Sequence, residues 1–341
     1  MNITETDIIW LNRVLGDFHC WLFMAVTVLT IYFFYRLIGV KRVHANFRIV
    51  LCCAAGSFLV FSGTRLLIHF LLDCTAQLED RYVINIACTL LSTLHTVSAM
   101  SSALCMNCLA IEQHLATTWV NEYENKSTRV GMILLLIVAL QSVPTGCFIN
   151  WWYLGKEYDF RTSKESCIPI ELHWELAMLC YCACFISCMI CSVWLVCLHR
   201  YNAVRTKNRL NMKSLSARFQ QTENENSNKS IAPSLIGYMV LGLVGLFLSE
   251  MRRRLVLIYG EYGAWPKLTT QIGYMAVDFY ALHHMFCFMC FNNAMRSLVV
   301  RDIGRLFGAS VTANCRHNSI QPEKSGAETE TYFKQFDAAW S

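Results

Sequence analysis

Apolar and polar positions along this chain fall into long blocks. Seven mostly apolar stretches, at about residues 20–38, 47–72, 82–111, 130–153, 174–199, 234–259 and 269–291, are separated by short polar segments. A helix needs about 20 apolar residues to cross the hydrocarbon core of a bilayer, at 1.5 Å rise per residue. The pattern therefore predicts an all-α membrane protein, a seven-transmembrane helix bundle. The third block carries no formal charge between Arg81 and Glu112, and the fourth ends in Trp151, Trp152 and Tyr153, the aromatic belt of a membrane interface. Pro144 lies inside that fourth block, where neighbouring helices satisfy the carbonyl it frees. After the seventh block, Met295, Leu298, Val299, Ile303, Leu306 and Phe307 recur at three- and four-residue steps, with Arg296, Arg301, Asp302 and Arg305 on the other face. Residues 292–307 are thus expected as an amphipathic helix on the inner leaflet. The polar stretch 308–341 is expected as a disordered tail.

Charge orients the blocks. Arg36, Lys41, Arg42 and Arg48 follow the first block, Arg200, Arg205, Lys207, Arg209, Lys213 and Arg218 the fifth, and Arg296, Arg301 and Arg305 the seventh. All fall on one side, which the positive-inside rule makes cytoplasmic. The N-terminus, residues 1–19, is then extracellular and the C-terminus cytoplasmic. Arg252, Arg253 and Arg254 run against this balance. The opening residues lack the basic and small-residue ends of a cleavable signal peptide, so the first block is expected to remain as a span. Asn2-Ile3-Thr4 is a glycosylation sequon that fits an outside terminus.

Composition agrees with the blocks. Of 341 residues, 55% are hydrophobic and 16% charged, and the mean hydropathy is +0.36, which points to the lipid bilayer as solvent. The net charge of +5 flanks apolar runs rather than lining a soluble face, so no nucleic-acid partner is expected. Most of the 18 cysteines lie within the apolar blocks. The pairs Cys105/Cys108, Cys188/Cys191 and Cys287/Cys290 lack a matching second pair on a polar loop. These thiols read as small buried hydrophobes, and no metal or cofactor is expected.

Ionisable groups inside a membrane are costly and mark function by default. At 1.5 Å per residue from the outer ends, Arg65 lies about 10 Å deep, Glu250 about 12 Å and Asp278 about 14 Å. With His95 and Arg253 they form the candidate ligand pocket, with Arg65–Asp278 as a structural pair and Glu250 or an arginine of the 252–254 triplet facing ligand. The competing reading has the triplet snorkelling to the headgroups.

Four segments carry a family likeness: Val43-His44-Ala45-Asn46-Phe47-Arg48, Gly63-Thr64-Arg65-Leu66, Ala110 to Thr117 with Tyr123-Glu124-Asn125-Lys126, and Ser214 to Asn224. In this order they resemble the nematode serpentine chemoreceptors, the seven-helix superfamily with alpha, beta and epsilon classes, the epsilon class most. The resemblance implies detection of a small odorant or soluble cue, a heterotrimeric G protein as partner, and the plasma membrane of chemosensory cilia. In rhodopsin-like receptors, a cysteine at the outer end of the third helix pairs with one in the loop after the fourth. That implies Cys88–Cys167, with Cys74 as rival for the pairing. Glu112-Gln113-His114 stands where such receptors carry an acidic-Arg-Tyr triplet, and Gln113 departs from the expected arginine. With Leu215, Arg218 and Phe219 it forms the expected G-protein face. The alternative function is a seven-span ligand-gated ion channel of inverted topology. A transporter would show repeated, interrupted halves, and an intramembrane hydrolase built on Asp278, His283 and His284 would need further ligands, so no enzyme is expected.

Overall fold

The computed structural model describes residues 5–306, apart from 41–42, 76, 78–80, 121–122, 124–127, 156–159, 162–165 and 208–214. Asn2 and the tail 308–341 lie outside the described residues. Seven long helices form the bundle: α1 Glu5–Gly39, α2 Ala45–Cys74, α3 Tyr82–Thr118, α4 Arg129–Asn150, α6 Trp174–Lys207, α7 Leu215–Tyr259 and α8 Ala264–Phe291. A short α5 (Pro169–Leu172) precedes α6, and α9 (Asn293–Leu306) follows α8. Six of the long helices are long and apolar enough to cross a membrane by composition. The seventh, α8, is diluted by Asp278, His283 and His284 in its middle. Asp278 and His284 are buried in the bundle interior, as a membrane requires of such groups.

Packing mostly follows neighbours in the chain, with α2 on α3, α6 on α7, α7 on α8 and α3 on α4, and α1 on α8 closes the bundle. The core is continuous through Phe33, Phe47, Phe58, Met106, Leu109, Met285 and Phe288. Outward faces carry large apolar residues such as Leu67, Phe70, Leu90, Leu136, Val193 and Phe247. Helix association in lipid relies on close approach and hydrogen bonds rather than on hiding apolar surface. Gly245 shows that approach: a Cβ there would lie 2.2 Å from the Tyr181 ring, so only glycine lets α7 meet α6 at this level.

Helices α1 and α7 outrun the apolar blocks that predict them by the widest margins. Helix α1 begins at Glu5, fifteen residues before Cys20, and Asn12 Nδ2 donates to the Ala264 carbonyl at 2.9 Å. Helix α7 begins at Leu215 and runs through Pro233, where the sequence suggests a break. Its polar first half is held by tertiary amide bonds to α3 and α6, described below, and these override weak local propensity. At the far end, the Asn292 side chain accepts from the Met295 amide at 3.1 Å and caps α9. Asp302 of α9 then pairs with Arg36 and accepts from Tyr32 at 2.8 Å, which ties α9 to α1.

Candidate ligand cavity and its polar surround

At the end of the bundle that carries the N-terminus, a disulfide joins Cys88 of α3 to Cys167, with Cα atoms 6.1 Å apart. Cys74, the rival partner, is a free and exposed thiol. The disulfide carries residues 166–172 across the helix ends, where Cys167 and Ile168 are fully buried. Glu171 then reaches down between helices. Its Oε1 lies 3.1 Å from Arg65 Nε, and its Oε2 accepts from Ser166 Oγ at 2.5 Å. Burial alone would raise the Glu171 carboxyl, but His69, Arg65 and the Ser166 hydroxyl outweigh it and hold it well below the usual carboxylate range.

Arg65 also stacks over the Tyr274 ring at 3.7 Å. Its Nη1 lies 3.4 Å from His19 Nδ1, and the other His19 nitrogen is 2.7 Å from Asp278 Oδ2. Ser62 donates to the second Asp278 oxygen. The expected Arg65–Asp278 pair is therefore not direct: Glu171 takes the guanidinium, and His19 of α1 stands between the two. His95 is buried on the same level, stacked on Phe61 at 4.2 Å and within 3.4 Å of the Tyr274 hydroxyl.

Beneath the roof lies a cavity of about 1210 Å³ walled by α2, α3, α4, α6, α7 and α8. Phe61 and Tyr274 form part of its wall, and Arg65, His95 and Asp278 stand behind them rather than in it. Of the arginine triplet, Arg252 is the one that lines the cavity and is 6% exposed. Its Nη1 donates to the Ile170 carbonyl at 2.9 Å, and its Nη2 donates to that of Glu171. Glu250 and Arg253 do not line the cavity. Arg253 holds Glu250 through two 2.7 Å bonds, and Arg254 adds a third at 2.9 Å on the outer face. At about 100° per residue, turning Arg252 inward turns its successors outward. Snorkelling thus fits Arg253 and Arg254 and fails for Arg252.

The opposite end of the bundle holds a second polar network. Glu112 is fully buried; its carboxyl accepts from Tyr123 Oη at 2.5 Å and from Gln113 Nε2 at 2.8 Å. Burial, then the Glu112 charge, push the Tyr123 phenol well above its ordinary value, so it serves as donor. Asn46 Nδ2 reaches Tyr123 Oη at 3.3 Å, and its Oδ1 accepts from the Gly131 amide at 2.9 Å, joining α2, α3 and α4. Next to it, Asn202 of α6 donates to Thr117 Oγ1 at 3.0 Å, and Gln221 of α7 donates to Asn202 Oδ1 at 3.1 Å. Asn224 Nδ2 donates to the Ala116 carbonyl at 3.0 Å, and Arg205 to that of Thr117 at 3.2 Å. His114 faces away, with its ring 5.1 Å from Trp194. Arg218 sits on α7 two turns before Asn224, and the side chains of Leu215 and Phe219 lie outside the described residues.

The residues missed from sequence are mostly polar and uncharged, or lie in loops. Tyr274 stands four residues before Asp278 on one helix face, a spacing that could have found it. Glu171 lies four residues beyond Cys167, where the disulfide positions it. Nothing local marks His19, Asn46, Asn202 or Gln221, because their partners are distant in the chain.

The family model of serpentine type 7TM GPCR receptor class ab chemoreceptors matches residues 4–248. That of the Sre G protein-coupled chemoreceptors matches residues 168–341. No curated protein matches the chain. The seven-helix bundle, the disulfide across its end and the two family matches give one conclusion: the chain belongs to the nematode serpentine seven-transmembrane G-protein-coupled chemoreceptors.

Proposed function

We propose that the chain is a sensory receptor that takes a small chemical cue into the roofed cavity and passes the event to a heterotrimeric G protein at the opposite end. The observation that carries this reading is a cavity whose walls include α3, α6 and α7, the helices that the Asn202–Gln221–Asn224 network ties together at the far end. A ligand that fits the cavity better when α6 and α7 part would shift the population toward an open state, by the difference in its affinity for the two. The positive side of the loops makes the network end cytoplasmic and the disulfide end extracellular, which also suits a disulfide chemically. Glu112, Gln113, Arg218 and α9 then border the G-protein face. The membrane is the plasma membrane, in the cilia of chemosensory neurons.

The test is expression in a heterologous cell with a second-messenger readout against volatile and soluble compounds. Leu176 is 4% exposed and lines the cavity, so Leu176→Trp fills ligand space. We expect the response to an active compound to vanish while surface expression persists. A full response from the filled cavity would sink the assignment. Glycosylation at Asn2 in the same cells checks the orientation.

A further inference from the structure

Among the described residues, the cavity is strapped over at the disulfide end and open where lipid would lie. At the roofed end, residues 166–172 are pinned at three points: the Cys88–Cys167 disulfide, the Arg65–Glu171 pair, and the Arg252 guanidinium under the carbonyls of Ile170 and Glu171. Cys167 and Ile168 of that strap are 0% exposed. The side wall differs. Helix α4 takes its packing from α2 and α3, and α6 from α7 and α3, so α4 and α6 are not a packed pair. Between them the cavity lining is also outer surface: Leu140 is 65% exposed, Phe148 56% and Trp152 48% on the α4 side, and Leu179 66% on α6. In a bilayer these residues face acyl chains.

A second observation concerns what the interior offers a ligand. Several polar groups in the wall are already engaged: the Thr269 and Thr270 hydroxyls donate to carbonyls one turn back in their own helix, and the Tyr274 ring is covered by Arg65. Arg252 is different. Its two terminal nitrogens hold the roof, but its Nε is buried and has no hydrogen-bond partner among the described residues. Its Nη2 also lies 3.8 Å from Glu261 Oε1, so the charge is partnered; the Nε donor is still costly to bury without an acceptor, and it belongs to a side chain that lines the cavity.

We propose that the ligand is an apolar molecule bearing one carbonyl or carboxylate acceptor, which enters sideways from the bilayer between α4 and α6 and places that acceptor on Arg252. This rests on the receptor reading above and adds the ligand's chemical class and its route. Partition into the membrane concentrates such a molecule next to the gap, while the strap never needs to open. The apolar walls accommodate its body, and the guanidinium orients its head.

The test uses the full chain in cell membranes and a long-chain fatty acid carrying a photoreactive diazirine, with a short-chain, water-soluble diazirine acid as the contrasting probe. The fatty acid should label peptides of α4 and α6. Ala183→Trp and Thr145→Trp, on the exposed rim of the gap, should each reduce that labelling several-fold with surface expression unchanged. Arg252→Gln should weaken it on the order of tenfold, the loss expected for a charge-assisted bond, and Arg252→Lys should retain part of it. Because Arg252 also holds the roof, the two rim variants decide the route even if Arg252→Gln fails to reach the surface. Labelling that ignores both tryptophans, or preferential labelling by the short soluble acid, overturns the lateral route. Signalling separates this from the receptor reading: a compound that still activates both rim variants at unchanged potency, yet fails on Leu176→Trp, leaves the receptor standing and removes the side gate.

Discussion

The network at the far end of the bundle makes a quantitative prediction about basal activity. Asn202 is fully buried, donates to Thr117 on α3 and accepts from Gln221 on α7, so one side chain links three helices. Asn202→Ala removes both side-chain bonds and leaves Gln221 with the Asn202 carbonyl and Thr206 Oγ1 at 3.3 Å. Neutral hydrogen bonds contribute about 0.5–1.5 kcal/mol each, and interhelical bonds in membranes average about 0.6 kcal/mol. The pair is therefore worth about 1–2 kcal/mol, a factor of roughly 5–30 in an equilibrium constant. Only the part of that energy present in the resting state and absent from the active one shifts the balance. If all of it is, a resting receptor that is about 1% active becomes about 5–20% active. The assay is ligand-free second-messenger output in heterologous cells, normalised to surface expression and compared with thermal stability of the solubilised receptor. Lower stability with unchanged basal output would mean that the bonds persist in both states, and the reasoning would be refuted.

Other parts of the fold give sharper structural tests. Cys88→Ser and Cys167→Ser should each lose about 4 kcal/mol of stability, given a sequence separation of 79, seen as a large fall in thermal midpoint; a shift of a degree or two would contradict the pinned roof. The Glu171 carboxyl is lower in the folded state than in the unfolded chain, so its stabilisation is complete above about pH 4.3 and fades as pH falls below that value. Glu171→Gln should remove that acid-dependent loss and cost stability at pH 7, as measured by melting the solubilised receptor across pH. Tyr123→Phe deletes the donor to Glu112 and the contact with Asn46. It should destabilise the bundle by about 1–3 kcal/mol, and Glu112→Gln combined with it should cost less than the two changes added.

Helix existence was legible because long apolar blocks have few fates in a chain this poor in charge. Helix length was not. The polar N-terminal turns of α1 and α7 look like loop until their partners are known: Ala264 for Asn12, and Ala116 and Asn202 for Asn224 and Gln221. The disulfide was legible through the family likeness, since spacing alone left Cys74 in play. The cluster expected of spans two, six and seven divides: Arg65, Asp278 and His95 are buried on one level, while Glu250 and Arg253 of span six pair with each other outside it, because depth along a helix does not fix which face a side chain takes. Arg65 therefore found a loop carboxylate, Glu171, in place of Asp278, and the inward arginine was Arg252 rather than its neighbour Arg253.

Helix α7 connects the two polar ends, and that connection bears on how Gln113 can stand where arginine was expected. A guanidinium at that position would bind helices together through charge. Here Gln113 is spent on Glu112 of its own helix, and the bonds among α3, α6 and α7 come from amides, a threonine hydroxyl and the Arg205 guanidinium on a backbone carbonyl. Each such bond is weak, so the clamp is a sum of small terms rather than one strong pair. A sum of this kind tolerates loss of any member and responds to a small displacement of α7, whose other end carries Arg252 against the roof and the cavity. An ionic pair inserted at this level, by Gln113→Arg with Gln221→Glu, should therefore deepen the resting state. Its signature would be lower basal output and lower potency for any active compound, and equal or higher potency would show that the amides do not set the resting balance.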